Sequence, residues 1–285
     1  NMLNWLQKKT KSKNLCVSGG FFMNSVFNGK ITKLTKFENV FISSCPDDSG
    51  LSIGAALYVY NHILNKKKRF TQRHNYYGPS FSNEEIKKTL DDYKIKYSYN
   101  KRNLSSIIAK QISEGKIIGW FQGKMEFGQR ALGNRSILGD PRILENRNKI
   151  NKIIKFRESF RPFAPSILSE YKTKFFQINK KETVNFMEKV FLIKKNMQHI
   201  IPAVTHIDGT GRLQTVEKKT NPKFYDLINE FFKITSVPIL INTSFNLNGE
   251  PIVCSPKDAI RTFNTSGLDL LVIGDFIITK NNEKI

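Results

Sequence analysis

Histidine and cysteine are scarce in this chain, with four of the first and three of the second in 285 residues. His62, His74, His199 and His206 form no HxxxH or HExxH pattern, and Cys16, Cys45 and Cys254 lie far apart with no CxxC pair. Neither a zinc site nor a disulfide framework is expected from such spacing, and a reducing, cytoplasmic compartment fits it. No run of ~18 apolar residues occurs, so no membrane span is expected, nor is a signal peptide visible. A P-loop (GxxxxGK[ST]) and a nucleophile elbow (GxSxG) are both missing. With no evident nucleophile, the chain is better suited to chemistry by positioning and charge neutralisation.

Acidic residues are also few, 24 against 46 Lys plus Arg, for a net charge of +22. Such an excess ordinarily points to nucleic acid or an anionic membrane. Here, however, most of the basic residues are scattered lysines, alongside abundant Asn, Ile and Phe. Biased codon usage produces the same pattern, and nucleic-acid binding is disfavoured. The length favours two domains, and a hydrophobic fraction of 39% is adequate for packed cores.

What is present is arginine, concentrated. Arg130, Arg135, Arg142, Arg147, Arg157 and Arg161 fall within GKMEFGQRALGNRSILGDPR and the following KFRESFRPFAPSIL. A guanidinium is planar, forked and always charged, and grips phosphate or carboxylate oxygens through two parallel bonds. Apolar residues such as Phe127, Leu132, Ile137 and Phe163 are interleaved, as in a buried wall. The spacing of Arg157 and Arg161 would put both on one face of a helical turn. The stretch reads as a pocket for a small, multiply charged phosphate ligand.

The rest of the chain alternates strand and helix signals, predicting an α/β or α+β fold with a mixed sheet. Strands are expected at 14–18, 39–43, 94–99, 116–121, 190–193, 203–207, 213–216, 237–241 and within 268–278. Helices are expected at 51–64, after Ser82 (with Glu85 completing a capping box), at 104–114, from Asp140-Pro141, at 223–232 and from Ser255-Pro256. The turn Asp208-Gly209-Thr210-Gly211 signals a hairpin. The basic cluster 66–69 and the turn 77–80 mark a boundary, dividing the chain into 1–75 and 76–285.

Three further groups could do chemistry. Asn242, Ser244 and Asn246 follow the apolar run VPILI, at the carboxyl end of a strand where α/β sheets bind ligands; an Asn-rich turn bonding its own backbone explains them as well. Gly19 and Gly20, with Asn24 behind them, could turn backbone donors toward a phosphate, or merely allow tight packing. Asp48, in Asp47-Asp48-Ser49-Gly50, is placed either for a metal or for a helix cap.

Together, WFQGKMEFGQRALGNRSILGDPR, KFRESFRPFAPSIL, ILINTSFNLNGEPIVCSPKDAIRTF and LDLLVIGD closely resemble the O-carbamoyltransferases that modify antibiotics and nodulation factors. LCVSGGFFMNSVFNGKI and PDDSGLSIGAALY match the end of that family's preceding domain. The resemblance implies that 1–75 is the last segment of an actin-like ATPase (sugar-kinase class) domain, and that 76–285 is a YrdC-like domain. It also implies a two-step reaction. Carbamoyl phosphate and ATP yield carbamoyl-adenylate, and the carbamoyl group passes to the hydroxyl of a small-molecule or saccharide acceptor. On this basis Arg130, Arg135, Arg157 and Arg161, with Lys124, neutralise phosphates; Asn242, Ser244 and Asn246 orient the carbamoyl or nucleotide; Gly19, Gly20 and Asn24 belong to the upstream nucleotide pocket. Asp48 is the one remaining ligand of a divalent metal such as Fe2+, whose histidine pair is absent from this sequence. The chain, opening on Asn1, is then the later part of a longer protein, forming the adenylate without completing transfer, and a homo-oligomer is compatible with it. Two alternatives are a sibling enzyme that modifies tRNA by acyl-adenylate chemistry, and a non-catalytic nucleotide-binding module.

Overall fold

The run Ile118-Gly119-Trp120-Phe121 carries no charged side chain. In the computed structural model, which describes residues 1–280, all four positions are buried in one central strand. A strand covered on both faces reads as such an unbroken apolar run. In chain order the strands are β1 (Asn14–Val17), β2 (Asn39–Ile42), β3 (Ser98–Tyr99), β4 (Ile118–Phe121), β5 (Arg135–Gly139), β6 (Ala164–Leu168), β7 (Val190–Leu192), β8 (Thr210–Arg212), β9 (Gln214–Val216), β10 (Ile239–Ser244), β11 (Leu270–Ile273) and β12 (Phe276–Thr279). Eight form one sheet in the order β3-β12-β11-β4-β5-β10-β6-β9. Within it β4–β11 and β6–β9 are parallel and the other pairs antiparallel. The fold is mixed α/β, as expected. Strands β1 and β2 pair in parallel as a separate two-stranded sheet, and β7 pairs with β8.

Helix Pro222–Thr235 follows from its sequence. Asn221 accepts a bond from Phe224 N as N-cap, Pro222 opens the helix, and Phe224, Leu227, Ile228 and Phe231 form its buried stripe. That stripe packs on helix Leu104–Ser113, which buries Leu104, Ile108, Ala109 and Ile112. Each of the Leu, Ile and Phe side chains contributes roughly 1.5–3 kcal/mol by leaving water. The loop carrying the first arginines meets this layer at Gly133, where φ is +106° and a Cβ would stand 2.2 Å from the Phe224 ring. A second, smaller apolar cluster joins Leu15, Val17, Ile31, Phe37 and Ile42.

Several expected elements differ. Residues 203–207 form no strand: Pro202, whose ring presets φ, opens a 3-10 turn, Pro202–Val204. The expected hairpin across Asp208–Gly211 is therefore absent, and β8 pairs with β7 while β9 joins the large sheet through β6. The helix expected from Asp140-Pro141 begins at Leu144, because the buried Asp140 carboxylate is occupied by Arg142, with N–O distances of 2.7–3.0 Å. Of residues 94–99, only Ser98–Tyr99 pair as a strand. The helix at 51–64 is α-helical over Leu51–Tyr58 and π-helical over Val59–Ile63. Strands β5 and β6 were not expected, since one lies inside the arginine stretch and the other contains Pro165. The capping boxes at Ser82/Glu85 and Ser255/Asp258 are both present.

Candidate active site

The carboxyl end of β10 opens onto a cavity of about 420 Å³. Asn242, Thr243 and Ser244 form its floor. Arg130, Arg157, Arg161 and Arg212 surround it, with His206 beside them and no Asp or Glu in the lining. Ser25 and Val26, from helix Ser25–Asn28, also line it, so residues from both predicted parts of the chain meet here. A cavity of this volume suits a small ligand rather than a nucleic-acid duplex.

Positive charge is concentrated at a cost. Burial and the neighbouring Arg130 and Arg157 pull Arg212 down to about 9. Burial likewise lowers Arg130, and burial together with Arg161 lowers Arg157. Like charges in a low-dielectric space disfavour one another, and a bound polyanion relieves that repulsion. Arg157 is held in place: its Nε donates to Asn151 Oδ1 at 2.7 Å and its guanidinium lies 4.9 Å above the Phe163 ring. Arg157 and Arg161 do not sit on a helix. A turn, Arg161 N to Glu158 O at 3.2 Å, brings both to the cavity instead, and Arg161 also pairs with Glu158 at 2.8 Å.

Beneath the floor lies Lys155, which the sequence reading passed over. Its buried ammonium donates to Ser244 O (2.5 Å), Asn246 Oδ1 (2.6 Å), Asn246 O (2.9 Å) and Ser244 Oγ (3.2 Å). Asn246 lies outside the lining and is held by this contact and by Glu250 O. Burial, then Arg157, pull Lys155 down to about 7. The folded value lies below the ordinary 10.5, so between the two the unfolded chain holds more protons and this group's contribution to stability rises with pH. The ammonium that orders Ser244 is lost over the same range. Binding of pyrophosphate is therefore expected to weaken as pH rises through about 7, and Lys155→Met should abolish that step in a titration of affinity against pH.

The other predicted residues are distributed differently. Arg135 is fully buried away from the cavity. Its Nη1 donates to Gln122 O (2.6 Å), Asn134 O (3.0 Å) and Gly123 O (3.3 Å), its Nη2 to Pro79 O and Gly123 O (both 3.2 Å), and Phe121 stacks 3.6 Å below. Arg135, expected to neutralise phosphate, lies instead outside the lining, with Nη1 and Nη2 bonded to backbone carbonyls and its buried Nε without a partner. Arg142 is occupied by Asp140. Lys124 is exposed and outside the lining. Asn242 is buried, donating to Ser166 Oγ and Gln214 Oε1 at 3.0 Å each, while its Oδ1 has no partner. Gly19 and Gly20 are exposed, and Asn24 caps Ser25–Asn28 by accepting from Phe27 N; none of the three lines the cavity. Asp48 is exposed at the start of a 3-10 turn. Among the described residues no three His, Cys, Asp or Glu side chains gather to hold a metal, so the donor set does not fit a divalent ion. Arg212 and His206 were missed because DGTGR reads locally as a turn, with nothing to show that it faces the arginines.

The sequence signature of the carbamoyltransferase C-terminus matches residues 109–280, and that of the carbamoyltransferase N-terminus matches 1–57. The chain belongs to the carbamoyltransferase family. This carbamoyltransferase chain is 43% identical over 96% of its length to nodulation protein NolO of Bradyrhizobium diazoefficiens, covering 50% of that protein. It is 41% identical to nodulation protein NolNO of Sinorhizobium fredii over 95% of its length and 40% of that protein. Against the 3'-hydroxymethylcephem-O-carbamoyltransferase of Amycolatopsis lactamdurans it is 30% identical over 94% of its length and 49% of that enzyme. The chain thus spans about half the length of the curated relatives it matches. Full-length HypF in its phosphate- and nucleotide-bound form aligns with 63% of this chain and 22% of its own, at 17% identity and a TM-score of 0.41, too loose a likeness to bear on function. No helix among the described residues is long and apolar enough to cross a membrane.

Proposed function

We propose that the arginine cavity activates a carbamoyl group as its adenylate, from carbamoyl phosphate and ATP, for transfer to the hydroxyl of a small-molecule or saccharide acceptor. The observation that carries this reading is four guanidiniums around about 420 Å³ with no carboxylate among them. Both substrates are phosphate polyanions, and the charge developing on a departing pyrophosphate is what preorganised guanidiniums stabilise best.

Atom balance orders the steps. The adenylate retains no phosphate from carbamoyl phosphate, so water must first cleave that bond, releasing inorganic phosphate and carbamate. A carbamate oxygen then attacks the α-phosphorus of ATP, and pyrophosphate leaves. In the last step the acceptor oxygen attacks the carbamoyl carbon and AMP departs. Arg130, Arg157, Arg161 and Arg212 would hold phosphate oxygens. Asn242, with an unpaired buried acceptor, suits the carbamoyl N–H groups, and Ser244 is held for the nucleotide by Lys155. In the same reading 76–285 is the YrdC-like adenylate-forming domain of a cytoplasmic enzyme. Residues 1–75 are the end segment of an actin-like ATPase domain, to which acceptor choice, the nucleotide contacts of Gly19, Gly20 and Asn24, and any metal would belong. The acceptor class follows from a relative whose name states O-carbamoylation of a hydroxymethyl group.

ATP–pyrophosphate exchange tests the reading. Exchange by the purified chain that depends on carbamoyl phosphate is the expected result. Its absence from a folded chain, both alone and with the amino-terminal half of a relative added, would overturn it.

A further inference from the structure

Glu126 lies outside the cavity, and neither the sequence reading nor the family resemblance gives it a role. Its carboxylate is buried, 4% exposed, opposite Tyr76 in an isolated antiparallel bridge. One oxygen, Oε1, accepts from three successive parts of a single loop: Leu132 N at 2.6 Å, Asn134 N at 2.9 Å and Arg135 N at a longer 3.4 Å. The other, Oε2, has no partner. Burial pushes this carboxyl up while the loop N–H groups pull it down. A buried acidic group this incompletely satisfied is expensive, and a loop whose only task was to turn could be held more cheaply by its own backbone.

The loop is the one that delivers Arg130 to the cavity. Arg130 and Ala131 line the space, and Leu132 begins the segment that Glu126 gathers. Gly128 at φ +121° and Gly133 at φ +106° bound the segment. Its carbonyls are held by Tyr76 Oη and Gln214 Nε2 donating to Leu132 O and by Trp120 Nε1 donating to Gly133 O, while Glu126 holds its N–H groups. Among the described residues no hydrogen bond or ion pair is made by the Arg130 side chain itself, so its direction is set by the backbone that carries it.

We infer that Glu126 is the positioning residue for Arg130, aiming its guanidinium at the phosphate ligand through the N–H groups of Leu132, Asn134 and Arg135. The inference rests on the phosphate-site reading of the cavity. It adds to that reading a residue that touches no ligand yet sets the affinity for one.

A double-mutant cycle read by calorimetric binding of inorganic pyrophosphate tests it. Glu126→Ala should weaken binding about tenfold, while Glu126→Gln, whose amide oxygen still accepts, should stay within about threefold. In an Arg130→Ala background Glu126→Ala should change binding by less than about twofold, because the arginine it aims is gone. A merely structural carboxylate would instead cost the same factor with and without Arg130, and that result would overturn the inference, as would equal losses for Ala and Gln. If Glu126→Ala does not fold, Glu126→Asp, too short to reach all three N–H groups, takes its place in the same cycle. Arg157→Ala serves as the control. Unchanged pyrophosphate binding there would remove the phosphate-site reading and this inference with it, whereas a loss there with none at Glu126 would remove the positioning role alone.

Discussion

Arg157→Ala should lower carbamoyl-phosphate-dependent exchange by about 10²–10³-fold, the loss of roughly 2.7–4 kcal/mol that follows deletion of one preorganised donor from a site of developing negative charge. Arg157 is the guanidinium best prepared for this. Asn151 fixes its Nε and Phe163 supports its plane, so it is already ordered before a ligand arrives. Exposed Arg161, shared with Glu158, should matter less. Arg157→Lys keeps the charge and loses the fork, and should fall between wild type and alanine. Thermal stability should hold or rise, since the substitution relieves repulsion with Arg161 and Arg212. A loss of activity matched by a loss of folded protein would contradict this account.

Arg135→Leu should behave in the opposite way. Five donor contacts to four backbone carbonyls disappear with the guanidinium. Asn134 O and Pro79 O keep a bond from Gln122 N and Met125 N, and the contacts to Gln122 O and Gly123 O are the ones left without a replacement donor. Stranded buried acceptors cost about 1–3 kcal/mol each before relaxation, so a net loss of about 3–5 kcal/mol is expected, the range seen when a buried charge partner is removed. Urea denaturation would show it as a lower midpoint at unchanged slope. Pyrophosphate affinity per folded molecule should change far less than in Arg157→Ala. Two arginines from one motif are thereby separated, one acting on the ligand and the other on the chain.

Much of the architecture was legible locally. Asn221-Pro222, Ser82 with Glu85, and Ser255-Pro256 start helices through bonds spanning only a few residues, and KIIGWF declares a buried strand by composition. The clustering of arginines was legible too, and three of the six, Arg130, Arg157 and Arg161, do line one cavity. Local reading failed where a partner distant in sequence decides the outcome. Residues 210–216 form two strands rather than one arm of a hairpin because β7 and β6 claim them, and Asp140 leaves its helix-capping position for Arg142.

For the site the division is sharper. The sequence by itself determined the family, the arginine-rich motif and the polar end of β10, since these depend on residue identity and order. Only the tertiary structure decided which arginines line the cavity. Arg135 and Arg142 lie outside it, Arg130, Arg157 and Arg161 line it, Arg212 joins them from outside the expected set, and Lys155 supports Ser244 from beneath. Charge is written in the sequence. Whether that charge meets a ligand, a carboxylate or the chain's own carbonyls depends on which acceptors the fold brings within hydrogen-bonding distance, because leaving buried groups unpaired is costly.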